Sequence, residues 1–197
     1  MKTSYKIIIL SAILILVERR FANFYSDIIF YFLVPLISSY ILRLERKQIG
    51  LSFGKTNEKL RLMIFLFLLG LPIMYFASNM PQFYNYYPMY VWAGNTPANF
   101  VKYEILILFS MLSCEFFFRG FIMLGTSKNF GKFSILLQDV PYFLVHIGKP
   151  PLEVPYSFFV GVIFGYIDYE AESIAPSLIL HYGSSVIFDL LCLVHAQ

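Results

Sequence analysis

The chain alternates long apolar runs with short polar connections. Seven runs stand out: Ile7–Val17, Phe21–Leu42, Leu62–Ser78, Lys102–Gly125, Phe133–Ile147, Val154–Ile167 and Ser173–Val194. A spanning helix needs about 20 mainly apolar residues. Five runs meet that length closely enough to be read as spans. Ile7–Val17 and Phe133–Ile147 are shorter and are expected to be partial, tilted or submerged in the protein. The pattern predicts an all-α fold, a polytopic integral membrane helical bundle with six to seven membrane helices. No internal repeat or low-complexity tract breaks residues 1–197, so a single membrane domain is expected. Lys2 and Lys6 precede the first run as in a secretory signal. Glu18-Arg19-Arg20 then stands where small cleavage-site residues are needed, so this segment is expected to be retained.

Composition strengthens this picture. Hydrophobic residues make up 58% and charged residues 14% of the 197, against about 45–50% and 25% in an ordinary soluble domain. A disordered chain is excluded on that ground, and the composition argues strongly against a water-soluble globule. The net charge of +3 is modest and the Lys and Arg residues sit between apolar runs. No nucleic-acid partner is expected; the lipid bilayer is. Cys114 and Cys192 are too few for a disulfide framework or a thiolate metal cluster. The connection Arg43–Arg61 holds six positive residues, whereas Met63–Val101 holds no charge at all. The positive-inside rule therefore places 43–61 in the cytoplasm and the Tyr-, Pro- and Asn-rich stretch 79–100 outside.

The chemistry lies in the ionisable residues inside apolar runs, which are costly there and usually face a bundle interior or a wet cavity. Glu115, His146 and His181 sit on three different runs, at depths that agree within ~8 Å when each residue is counted as ~1.5 Å of helix. Glu115 and Arg119 are four apart, so they share a face and can pair. His181, Ser185 and Asp189 follow at intervals of four and form a polar stripe on an otherwise apolar helix. Singly, each residue suits helix packing. Together, a carboxylate and an imidazole can remove a proton from water for attack on an amide carbonyl. A second imidazole and a hydroxyl can donate to the oxyanion. Two His and a Glu could alternatively form a three-ligand Zn2+ site, although the helical HExxH arrangement is absent. A proton-coupled transporter would use similar residues, but no repeated half with broken helices is present.

At these residues the chain resembles the CPBP family of intramembrane proteases, which includes the type II CAAX prenyl endopeptidases and the bacterial Abi or bacteriocin-immunity-associated proteins. The family pattern EExxxR corresponds to Cys114-Glu115-Phe116-Phe117-Phe118-Arg119. FxxxH corresponds to Tyr142-Phe143-Leu144-Val145-His146, and HxxxN to His181-Tyr182-Gly183-Ser184-Ser185. His146-Ile147-Gly148-Lys149-Pro150-Pro151-Leu152-Glu153 is similar to the HxGKPxxE variant of a prokaryotic branch. The motif-bearing core spans about 50–190.

The resemblance implies an endopeptidase of a prokaryotic cytoplasmic membrane that cleaves a membrane protein or peptide substrate with an activated water. Glu115 and His146 would activate the water, and His181 with Ser185 would stabilise the oxyanion. Arg119 would orient Glu115 or bind a substrate carboxylate, Glu153 would assist, and Asp189 would orient His181 or fix its helix. Cys114 replaces the family's first Glu and Ser185 replaces its Asn. These departures leave an inactive family member, acting as an immunity or membrane-partner protein, as the alternative.

Overall fold

The computed structural model describes residues 2–196, and among them the regular structure is helical throughout. Seven long helices form: α1 (Thr3–Phe21), α2 (Phe24–Ile41), α3 (Thr56–Ser78), α4 (Pro97–Phe130), α5 (Phe133–Val145), α6 (Glu153–Ala171) and α7 (Ala175–His195). Short helical turns cover Arg46–Ile49, Pro81–Tyr84 and Val91–Gly94. The helical membrane bundle expected from the apolar runs is the fold observed. Among the described residues four helices, α2, α3, α4 and α7, are both long and apolar enough to cross a membrane. That count lies below the expected six to seven. The 13 residues of α5 fall short, while α1 carries Glu18, Arg19 and Arg20 and α6 carries Glu153, Asp168 and Glu170.

Local sequence explains the ends and faces. In α4, the Thr96 side chain accepts from the Asn99 amide (3.1 Å) and Pro97 occupies the first turn, where its missing N–H costs nothing. Helix α1 buries Ser4, Ile7, Ser11, Leu14 and Glu18, a stripe at alternating spacings of three and four. It rests on a core of Tyr31, Phe117, Phe118, Phe121, Ile122 and Tyr142. By contrast α3 leaves most of its surface exposed, as lipid contact requires.

Two helices widen to π geometry, at Asp27–Leu33 in α2 and Phe116–Leu124 in α4. All nine residues of the second segment are buried, so the widened stretch is the centre of the bundle. Such segments recur at functional sites. The turn 46–49 closes on it, and a Cβ on Gly120 would meet the Ile49 carbonyl oxygen at 2.6 Å. Glycine is required there by close approach. Beyond the turn, Lys55 N–H donates to the Ala171 carbonyl (2.7 Å) and Ile174 N–H to that of Gly50 (3.2 Å), so residues 50–55 clasp the α6–α7 corner. Lys47 and Lys55 pair there with Glu172 at 2.8 and 3.7 Å.

Candidate active site

Glu115 is the last residue of α4 before the π segment and has no exposed surface. Its one-residue offset from Cys114 decides which side of the bundle it serves. Cys114 packs on the core shared with α1 and α2. One turn earlier on that face, Ser110 donates to Asp27 of α2 at 2.6 Å. Glu115 turns the other way and meets α7: its Oε1 lies 2.6 Å from His181 Nδ1, and its Oε2 accepts from Ser177 Oγ at 2.8 Å.

Arg119 lies one turn on, also without exposed surface. Its Nε is 3.3 Å from Glu115 Oε2, and its guanidinium carbon stands 3.8 Å over the Tyr142 ring. The ring face attracts a cation more strongly when both are desolvated. None of the guanidinium nitrogens has a well-aligned hydrogen bond among the described residues. The charge is therefore held by Glu115 and the aromatic ring.

His146 caps the C-terminus of α5. Its Nδ1 lies 2.8 Å from the Tyr142 carbonyl oxygen, and its ring is 4.5 Å from the Tyr142 ring. Among the described residues no hydrogen bond joins His146 to Glu115 or His181; Tyr142 lies between it and Arg119. The shared depth expected for the three groups thus becomes direct contact for Glu115 and His181, with His146 one ring away. Both imidazoles are tautomer-fixed by their acceptors. A carbonyl on one Nδ1 and a carboxylate on the other require N–H there, so each neutral ring presents a bare Nε2.

The other expected residues are placed elsewhere. Glu153 begins α6, and both its oxygens are taken, by Lys149 Nζ (2.9 Å) and by the Tyr87 hydroxyl (2.6 Å). It latches the Tyr-rich connection to α6 and is not among the contacts of Glu115. Ser185 donates to Asp189 at 3.5 Å, a long contact, and Asp189 neighbours Glu104 of α4. Among the described residues neither is hydrogen-bonded to His181. Two residues that the sequence reading passed over, Ser177 and Asp168, do reach the site. Ser177 lies one turn before His181 on α7, so the polar stripe extends backward by four. Asp168 sits just after the uncharged run of α6, where it resembles a loop charge.

Among the described residues no three His, Cys, Asp or Glu side chains converge as a metal-ligand set, and both Glu115 oxygens lie against protein partners.

No curated protein and no solved structure matches the chain. Residues 96–187, a little under half of it, match the family model described as type II CAAX prenyl endopeptidase Rce1-like. That segment contains Glu115, Arg119, His146, Ser177, His181 and Ser185, and the match supports a CPBP-family intramembrane protease.

Proposed function

We propose that the chain hydrolyses peptide bonds of membrane-embedded substrates with a water activated by the Glu115–His181 pair. The observation that carries this reading is the 2.6 Å contact between a fully buried carboxylate and an imidazole whose side chain is 26% exposed. Glu115 cannot itself reach solvent, so it is the orienting partner. It holds His181 Nδ1–H and stabilises the imidazolium that forms when Nε2 takes a proton, the division of labour of a carboxylate–histidine pair. The roles expected from sequence are redistributed accordingly, with His181 as the base. His146 offers a second bare Nε2 across Tyr142 and is assigned to holding the water. Ser185, one turn beyond His181 on the same helix, is assigned as the oxyanion donor. Arg119 supplies the counter-charge to Glu115. The family match supports endopeptidase activity in general.

The test is cleavage of a transmembrane peptide library by the detergent-purified protein. His181→Ala should lose at least ~100-fold in kcat/KM, as expected when a general base is removed. His146→Ala should lose less. Retention of wild-type cleavage by His181→Ala would sink the proposal.

A further inference from the structure

Behind Glu115 the helices bring a second carboxylate that no motif contains. Asp168 of α6 has no exposed surface. Its Oδ1 accepts from the Ser177 amide at 3.0 Å, and its Oδ2 meets Ser177 Oγ in a very short contact. Ser177 Oγ is also 2.8 Å from Glu115 Oε2 and 3.2 Å from the Ile174 carbonyl oxygen. One hydroxyl therefore faces two carboxyl groups and a carbonyl, yet it owns one proton. It can donate to only one of them. The other carboxyl contact requires that carboxyl to be protonated and to donate to Ser177 Oγ.

Charge decides which carboxyl holds the proton. Glu115 lies against the Arg119 guanidinium and His181 Nδ1, and neutralising it would leave Arg119 buried without a counter-charge. Asp168 has no salt-bridge partner among the described residues. Among the described residues the hydrogen-bond partners of its carboxyl are the Ser177 amide and hydroxyl. The groups facing this cluster are Glu115 and Arg119 from α4 and His181 from α7, with Cys114 beside Glu115 and Tyr142 of α5 beside Arg119.

We infer that Asp168 and Ser177 form a proton-holding pair behind Glu115: a neutral Asp168 carboxyl donates to Ser177 Oγ, and Ser177 donates to the Glu115 carboxylate. Asp168 and Ser177 are positioning residues. They act through Glu115, fixing its rotamer with a donor that points at Oε2 while Oε1 stays on His181. The proton on Asp168 prevents two carboxylates from repelling each other across one serine. The catalytic part of this inference rests on the peptidase reading above; the protonation part does not.

Infrared difference spectroscopy of the detergent-solubilised protein at neutral pH tests protonation without substrate. Wild type minus Asp168→Asn should show the carbonyl stretch of a hydrogen-bonded carboxylic acid, because Asn keeps the shape and the donor but lacks that band. A difference spectrum without the band would overturn the inference. If Asp168→Asn does not fold, Ser177→Ala should shift the band by removing the acceptor, and an unshifted band counts against the pair equally.

Positioning is read from the pH profile of cleavage. Ser177→Ala should move the acid limb of kcat/KM and lower kcat/KM roughly 10- to 100-fold, as expected for losing one hydrogen bond to a charged group. Ser177→Thr should restore both. An unmoved acid limb overturns the positioning role. A wild type that cleaves nothing overturns the peptidase reading and leaves the infrared result to decide the pair.

Discussion

Glu115→Gln is the substitution that interrogates the centre of the molecule most directly. Gln preserves length and branching, so the perturbation is the loss of one charge. Arg119, fully buried and 3.3 Å away, is then a cation without a counter-ion; only the Tyr142 face remains to offset it. Removing one partner of a buried pair costs about 3–5 kcal/mol. For a chain of this size each kcal/mol moves the melting temperature by about 2–4 °C, which gives a loss of roughly 6–20 °C. Adding Arg119→Met removes the orphaned charge and fills similar volume, so the double variant should recover most of the loss. The protein supplies its own probe: Cys192 is a fully buried free thiol and Cys114 is half-buried. Thermal unfolding in detergent can be followed by alkylation of Cys192 in a Cys114→Ser background. A Glu115→Gln melting point within about 2 °C of its parent would refute the buried-pair reasoning. A double variant no more stable than the single one would refute it too.

Other substitutions test the packing around the site. Gly161→Ala would drive a methyl into the Asp139 carboxylate and the Tyr142 ring at the α5–α6 contact, and should destabilise by about 1–3 kcal/mol in the same alkylation assay. Gly70→Ala in α3 meets nothing, and should instead stabilise by about 0.5–1 kcal/mol through helix propensity. Tyr87→Phe removes a donor from Glu153; protease nicking of the 79–100 connection should accelerate while the melting point barely moves. At the α6–α7 corner, Lys47 holds the Glu172 carboxyl below its ordinary value of 4.5, and Glu172 raises Lys47 above 10.5. A depressed carboxylate stabilises above its unfolded pKa and ceases to as pH falls through its folded one. A raised lysine stabilises below its unfolded pKa and ceases to as pH rises through its folded one. The melting-point difference between wild type and Glu172→Gln should therefore form a plateau between pH 4.5 and 10.5, vanish on both sides, and shrink with added salt.

The apolar runs disclosed the helices because membrane insertion demands them. Glu115, Arg119 and His181 were legible because an ionisable residue inside such a run needs a reason. Cys114 and Glu115 could not be told apart by spacing alone. A regular 3.6-residue period says nothing of where a helix widens, and α4 widens directly after Glu115. His146 was read as lying within a helix; it caps one, since α5 ends at Val145. Glu153 looked available for chemistry because neither Lys149 nor Tyr87 can be assigned to it from sequence: a salt bridge four residues away is common, but a hydroxyl 66 positions distant is not visible. Asp168 was missed because a carboxylate at the end of an apolar run ordinarily meets water. Here the tight corner between α6 and α7 turns it inward, with Ser173 N–H donating to the Asp168 carbonyl at 3.2 Å.

The spacing of Glu115 and Arg119 also bears on how the protein is made. Both belong to α4, whose 34 residues extend ~51 Å at ~1.5 Å each, well beyond a hydrocarbon layer of ~30 Å. Their opposite charges lie within one helical turn and can pair before any other helix is present, with the Tyr142 face of α5 added later. A nascent α4 can leave the translocon with its opposite charges already neutralising each other, before α5, α6 and α7 have emerged from the ribosome. His181 and Ser177, on the last helix to be made, would then meet a carboxylate that already has its counter-charge.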